Sequence, residues 1–195
     1  MKYWSILLAL FFLTTGACDN DYTPKPRGYF RIDLPQHGYR KFDTVFPFTF
    51  EYPVYATLMP DNSKMAEPYW INIRYNPFHA TLHLSYKFVR GNLSQYLEDS
   101  RTLVNKHIQK ASAITQREFT NPDQRVFGLV YDIRGSDAAS SYQFYVTDSL
   151  SEFVRGALYF NLVPNNDSLA PVIDFLKEDI DHLIGTFKWK KAAYD

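Results

Sequence analysis

Cys18 is the only cysteine in the 195-residue chain. A thiol can act as a nucleophile, bind a metal as the thiolate, pair in a disulfide or carry a lipid. If Cys18 carries a lipid, the rest of the chain has no thiol. The folded part then has no disulfide, no thiolate metal site and no cysteine catalysis, and its stability must come from its core.

The residues before this cysteine have the layout of an export signal. Residues 1–17 read MKYWSILLALFFLTTGA, in which Lys2 precedes a nearly unbroken apolar run from Tyr3 to Leu13. A positive charge followed by a short apolar segment is typical of a secretory signal. The run of about 11 residues is too short to cross a bilayer core of ~30 Å as a permanent helix.

The residues next to Cys18 indicate the type of signal. Thr15, Gly16 and Ala17 are small, and they resemble the bacterial lipobox, in which the thiol is acylated and the leader is cut before it. Thr15 departs from the leucine that is commonest at its position. The alternative is a soluble exported protein with one stray cysteine. We expect lipid, including palmitate, on Cys18, and several acyl chains would give stable anchoring to a membrane.

These features divide the chain into three predicted parts. They are a lipoprotein signal peptide (1–17), a lipidated cysteine with a polar tether (18–27), and a single domain (28–195). The residue after the cysteine, Asp19, leaves the choice of membrane open. It resembles an inner-membrane retention signal in enterobacteria, but an acidic run at this place can signal the reverse elsewhere.

The five histidines do not predict a metal site. His79 and His83 are four residues apart, which on a helix would be metal-ligand spacing. Here they fall beside a turn and in a predicted strand, where four residues span roughly 13 Å. Two ligands that far apart cannot share one zinc ion. His107 and His182 fall on predicted helices, where packed or surface roles are expected.

The carboxylates and glycines give no catalytic motif either. Glu98 and Asp99, and the acidic residues of 174–181, are expected on the solvated faces of amphipathic helices. The sequence has no P-loop, no Gly-x-Ser-x-Gly elbow, no His-Glu-x-x-His and no dinucleotide glycine signature. We therefore expect no catalytic residue, no cofactor and no enzymatic activity.

The charge balance argues against a nucleic-acid partner. The chain has 21 basic and 21 acidic residues, and loss of residues 1–17 would remove only Lys2. Binding to phosphates requires a clustered basic excess. Two local basic clusters, at 25–31 and 188–191, are read as solvated charges, with a contact to a partner or headgroup as the alternative.

Strands are expected to dominate, because 17% of the residues are aromatic and such side chains suit pleated sheets. The pattern of 69–75 alternates, and after the Asn76-Pro77 turn 81–88 returns as a hairpin partner with one apolar face. The predicted strands are 28–33, 46–52, 69–75, 81–88, 113–119, 126–134, 141–147 and 153–162.

Two helices complete the prediction. One begins after Asn92 and runs to about Ser112, and the other begins near 166–168, has Pro171 in its first turn and ends at Gly185. The string FKWKK then reads as a frayed tail. Strands joined by short turns favour antiparallel pairing, so we expect an α+β domain with two helices flanking an antiparallel sheet. The pattern is similar to the α/β/α sandwich of the Mog1/PsbP type.

Three segments are candidates for a binding surface. They are the aromatic-rich loop 54–69, the turn 134–142, and 164–167. Long loops with exposed aromatic residues often contact partners. The alternative is a loop that packs on its own domain.

Seven strings of the chain resemble one family of bacterial proteins. The chain is similar to the gliding motility-associated lipoprotein GldD family of the Bacteroidota over nearly its whole length after the leader. The resemblance implies a membrane-anchored envelope lipoprotein, facing the periplasm, that is needed for gliding motility and type IX secretion. It implies action through contacts with other envelope proteins; the alternative is an envelope chaperone or ligand-binding module. The strings are TPKPRGYFRIDLP, WINIRYNP, LHLSYK, GLVYDIRG, SSYQFYVTDS, FVRGALYFN and PNNDSLAPVIDFLKEDIDHLI.

Overall fold

The computed structural model describes residues 32–162 and 165–190. The described residues form ten strands and two helices, with short 3-10 turns at Asn76–Phe78 and Pro122–Gln124. In chain order the elements are β1 (Tyr39–Phe42), β2 (Phe48–Pro53), β3 (Thr57–Pro60), β4 (Ile71–Tyr75), β5 (Ala80–Phe88), α1 (Leu93–Asn105), β6 (Ala113–Asn121), β7 (Val126–Arg134), β8 (Ser140–Thr147), β9 (Glu152–Phe160), α2 (Asn166–Thr186) and β10 (Lys188–Trp189).

Seven strands form one antiparallel sheet in the order β3-β4-β5-β9-β8-β7-β6. The hairpin predicted from 69–75 and 81–88 is confirmed, with Tyr75 opposite Ala80. Strand β9 lies between β5 and β8, so it joins the early and late hairpins. Because side chains alternate along each strand, one face of β5 presents Leu82, Leu84 and Tyr86, all buried.

A small sheet of β1, β2 and β10 contributes to the same core. Its central strand β2 buries Phe48 and Phe50, which stack against Phe187. Strand β10 pairs with β2, with Trp189 opposite Phe48. The expectation of a frayed tail after Gly185 was therefore wrong for 187–190, because Phe187 is buried and anchors the segment.

Helix α2 packs with its apolar stripe on the face of the large sheet that presents Leu82, Leu84 and Tyr86. The side chain of Asn165 accepts a hydrogen bond from the backbone N–H of Ser168 and so caps the helix. The helix begins at Asn166, within the predicted start, but Pro171 falls in its second turn instead of its first. The residues of this stripe are all buried: Val172, Phe175, Leu176, Ile180, Leu183 and Ile184.

Helix α1 packs on the opposite face of the large sheet. Its Val104 contacts Tyr131 and Ile133, which alternate with the α2-facing residues of β7. The helix ends at Asn105, earlier than the predicted 112, and His107 lies in the turns that follow. With one helix on each face of an antiparallel sheet, the predicted α+β, α/β/α sandwich architecture is confirmed.

Three strands were not predicted: β1, β3 and β10. Each has four residues or fewer, too short for a clear alternation of apolar and polar side chains. In the predicted strand 28–33, Ile32 and Asp33 are not extended in a sheet, and 28–31 lie outside the described residues. Within the described ranges, no helix is both long and apolar enough to cross a membrane.

Candidate functional site

The predicted lipidation site cannot be compared with the fold. Cys18, the leader 1–17, the tether that ends at residue 27, and residues 28–31 lie outside the described residues. Lipid on Cys18 therefore stays a prediction. The described residues instead contain a buried polar cluster around Asp179 and a surface at one end of the large sheet.

The polar cluster is centred on the carboxylate of Asp179, which is fully buried on α2. The Tyr39 hydroxyl donates a hydrogen bond to it at 3.1 Å, and the Tyr55 hydroxyl donates another. The Nδ1 atom of His37 lies 2.8 Å from the same carboxylate. These contacts tie the segment before β1 and the turn after β2 to α2.

The tyrosines of this cluster are held in their neutral form. Burial, and then the nearby Asp179 carboxylate, raise the pKa of Tyr39 to about 12. The same causes raise the pKa of Tyr55 well above its ordinary value. Tyr75 is fully buried nearby, burial raises its pKa as well, and its hydroxyl has no hydrogen-bond partner among the described residues.

The expectation that all the carboxylates of 174–181 lie on a solvated face was wrong for Asp179. Asp174 and Glu178 are exposed, whereas Asp179 is fully buried. A signal for this was present in the sequence. Residue 179 stands four positions after Phe175 and three after Leu176, which is the spacing of the apolar stripe.

The two histidines next to Asp179 extend the cluster toward the surface. The Nε2 atom of His37 lies 3.1 Å from Glu178, and that of His182 lies 2.7 Å from Glu51 on β2. The ring of His182 stacks on Tyr39 with centroids 3.6 Å apart. His182 thus has a packed role, and the cluster joins the small sheet to α2. Its geometry is that of a structural polar network.

The other notable feature is the end of the large sheet where β5 finishes and the β8–β9 turn lies; we call it the turn end. A groove of about 370 Å³ is found here, between the β6–β7 turn, the β8–β9 turn and β10. It carries charges of both signs. Its lining residues are Asp123, Gln124, Arg125, Asp148, Ser151, Glu152, Trp189 and Lys190.

Hydrogen bonds fix the β8–β9 turn at this groove. The Asp148 carboxylate accepts backbone N–H bonds from Leu150, Ser151 and Glu152 at 2.8–2.9 Å. Burial alone would raise the pKa of Asp148, but these bonds outweigh it and lower the pKa. Burial raises the pKa of Glu152, although the Tyr86 hydroxyl donates a hydrogen bond to it at 2.5 Å.

Apolar side chains stand exposed around the turn end. Val45 is 89% exposed, Leu150 is 65% exposed and Phe88 is 49% exposed. Phe88 lies opposite Glu152 in the pairing of β5 with β9, and Leu150 lies in the turn before β9. Single exposed apolar residues are ordinary, but several around one groove are typical of a contact surface. This surface was not among the three predicted from the sequence.

Two of the three predicted surfaces can be compared with the fold. Part of the loop 54–69 forms the edge strand β3, and Met65 beyond it is 83% exposed. The turn 134–142 packs on its own domain, because Asn166 Nδ2 donates to the carbonyls of Gly135 and Ala138 at 2.7 and 2.9 Å. In the third segment, Pro164 lies outside the described residues.

The histidines of the sheet occupy different places. His79 closes the turn before β5 with a left-handed backbone, φ 49°, and is exposed, whereas His83 lies within β5 and is partly buried. No group of three or more histidine, cysteine, aspartate or glutamate residues suited to a metal ion occurs in the described part of the chain.

The comparison with protein families gives a match across almost the whole chain. The model of the family described as "Gliding motility lipoprotein GldD" matches residues 19–189. This chain belongs to that family. The matched range begins directly after Cys18 and includes the Asp179 cluster and every residue that lines the groove except Lys190. The resemblance stated from the sequence is thus confirmed, and the chain is a gliding motility lipoprotein by family.

Comparison with other proteins adds little. No curated protein matches the sequence. Among solved structures, the solution structure of cyanobacterial PsbP (CyanoP) from Synechocystis sp. PCC 6803 aligns with a TM-score of 0.49 and 14% identity, over 82% of this chain and 97% of that chain.

Proposed function

We propose that this chain is a lipid-anchored protein of the cell envelope, required for gliding motility and type IX protein secretion, that acts through protein contacts and not through catalysis. The match of the gliding motility lipoprotein family to residues 19–189 is the observation that carries the proposal. The lipobox-like residues before Cys18 support an anchor at the start of the matched range. We place the folded part on the periplasmic side.

The turn end is the surface that we propose for the protein contacts. It combines exposed apolar side chains with a groove of about 370 Å³. The Asp148 hydrogen bonds hold its central turn in one conformation. A preorganised surface loses less conformational entropy on binding than a mobile one.

Genetic complementation tests the function. In a strain lacking the gene, the wild-type chain should restore spreading and the export of type IX cargo. Cys18→Ser should lose lipid labelling, leave the membrane fraction and fail to restore either property. Normal cargo export in the strain without the gene would contradict the proposal.

A pair of surface variants tests the contact role separately. Leu150→Asp places a charge on the turn end, whereas Ile108→Asp places one on a residue of similar exposure, 57%, in the turns after α1. We expect wild-type protein levels for both variants and loss of function only for Leu150→Asp. Equal function of the two variants would refute the turn end as the contact surface.

The alternative function is a ligand-binding module of the envelope. The groove at the turn end favours it, since small-molecule sites are concave. In that case Gln124→Ala, inside the groove, would abolish function while Leu150→Asp in the β8–β9 turn would be tolerated.

A further inference from the structure

The face of the large sheet that bears α1 contains a ring of polar side chains around one alanine. Ala157 of β9 lies between Gln143 of β8 and His83 of β5 in the strand register. Arg155 and Tyr159 lie two residues before and after it, so their side chains share this face. The rings of His83 and Tyr159 meet edge to face with centroids 5.8 Å apart. Ala157 thus lies at the centre of four polar side chains, which we call the polar ring: His83, Gln143, Arg155 and Tyr159.

Arg155 has only neutral partners in this ring. Its Nη2 atom donates a hydrogen bond to Oε1 of Gln143, and it also interacts with the Tyr159 hydroxyl. No carboxylate pairs with it among the residues described by the structure. Burial lowers its pKa, although the side chain remains charged at neutral pH. A mostly buried cation without a counter-ion is costly, so an anion would stabilise it.

The side-chain amide of Gln143 lacks one partner here. Gln143 is 1% exposed. Its Nε2 atom has no hydrogen-bond partner within the described ranges. Buried donors are almost always satisfied, and each unsatisfied one calls for an explanation. A free donor beside a guanidinium suits an acceptor-only ligand, such as an oxyanion.

Two histidines bring more basic groups to the same place. Burial, and then the charge of Arg155, lower the pKa of His107 in the turns after α1. Burial also lowers the pKa of His83, where the charge of Arg155 acts in the same direction and that of Asp61 opposes it. Both rings therefore lie within the electrostatic field of Arg155. An anion bound to Arg155 would favour their protonation.

We propose that this ring is a binding site for a small oxyanion, phosphate or carboxylate, held by the Arg155 guanidinium, the Nε2 atom of Gln143 and the imidazole of His83. The planar guanidinium offers paired donors that match the oxygens of either group. The site is separate from the turn end and independent of the lipid anchor. Its loss therefore leaves membrane attachment unchanged.

An NMR titration of the full chain in detergent tests the proposal. The imidazole signals of His83 and His107 are followed while inorganic phosphate, or in a second arm acetate, replaces chloride at constant ionic strength. Saturable changes with an upward shift of both histidine pKa values are expected. Saturation by both anions identifies a general oxyanion site, and saturation by phosphate alone identifies a phosphate site. Absence of saturation by both anions would overturn the proposal.

Variants link the effect to Arg155. Arg155→Gln should abolish saturation, and Arg155→Lys, which keeps the charge without the planar fork, should weaken binding at least about tenfold. Arg90→Gln, at an exposed arginine before α1, is the matched control and should bind as the wild type does. If Arg155→Gln fails to fold, anion binding by Arg155→Lys and by Gln143→Leu tests the site in its place. Unchanged binding in those two variants would refute the site.

Discussion

The carboxylate of Asp179, in the apolar stripe of α2, accepts a hydrogen bond from the hydroxyl of Tyr39 in β1, 3.1 Å away. The two residues lie 140 positions apart in the chain. Because Asp179 also accepts from Tyr55 and contacts His37, its removal takes a shared partner from several partly buried groups. Removing one member of a buried polar network lowers the free energy of unfolding more than replacing the whole network by well-packed apolar residues does.

Replacement of this carboxylate should destabilise the fold strongly. We expect Asp179→Ala to lower the free energy of unfolding by about 3 kcal/mol, because it removes the acceptor of two partly buried hydroxyls and opens a cavity at a fully buried position. Asp174→Ala, on the same helix with a side chain that is 74% exposed, is the control and should change it by less than about 0.5 kcal/mol. Urea unfolding measures both, and equal effects would contradict the structural role.

Gly156 in β9 is expected to tolerate no side chain. A Cβ atom there would lie 2.2 Å from the ring of Phe144, which is itself 1% exposed in the core. Gly156→Ala should therefore cost about 1–3 kcal/mol through overpacking. Gly185→Ala is the matched control, since no atom lies within 4 Å of the added Cβ and alanine favours the helix. Thermal unfolding should separate the two, and a stable Gly156→Ala protein would refute the close contact.

The fold should lose stability on mild acidification through His83 and His107. Their folded-state pKa values lie below the ordinary 6.5, so the unfolded chain binds more protons than the folded one as the pH falls through this region. Acid therefore favours unfolding, and stability is greatest at pH values above the ordinary histidine pKa. We expect the free energy of unfolding to fall between about pH 7.5 and about pH 5.5. The double variant His83→Gln, His107→Gln should show a smaller slope, and an unchanged slope would exclude these groups.

The segment after α2 should contribute to stability in spite of its position near the end of the chain. Trp189 packs edge to face on Phe187 and donates a hydrogen bond to the carbonyl of Arg125 at 3.1 Å. Trp189→Ala should cost about 2 kcal/mol, since the side chain is only partly buried. Lys188→Ala, at the exposed neighbour in the same strand, should have little effect. If proteolysis removes 188–190 without loss of stability, the packing of β10 is unimportant.

The sequence predicted the elements with strong periodicity and missed those without it. Strand β7 was predicted with its observed bounds, Val126–Arg134, because this segment is rich in β-branched and aromatic residues and turn residues flank it on both sides. Strand β1 has four residues, and its hydrogen bonds depend on β2, which no local pattern reveals. For the same reason, the pairing of β10 could not be read from the lysine-rich string that contains it.

Sequence reasoning was weaker for the polar sites. It treated Asp179 by residue type, as a solvated carboxylate, although the position of this residue in the helix period placed it inside. The ring around Ala157 depends on the hairpin of β8 and β9 and on the pairing of β9 with the distant strand β5. The hairpin brings Gln143 near Arg155, but no spacing along the sequence brings His83 to them, so only the folded sheet reveals the ring.

The pairing of β5 with β9 also governs when the molecule can fold. Ala80 lies opposite Phe160, and β9 is the strand that joins β3, β4 and β5 to the rest of the large sheet. These three early strands therefore cannot complete the sheet until β9 has been synthesised. Closing such a long loop is slow compared with the formation of local hairpins. The strand order therefore predicts that the large sheet closes only after β9 has been synthesised, so a nascent chain that ends before β9 cannot join its early strands to its late ones.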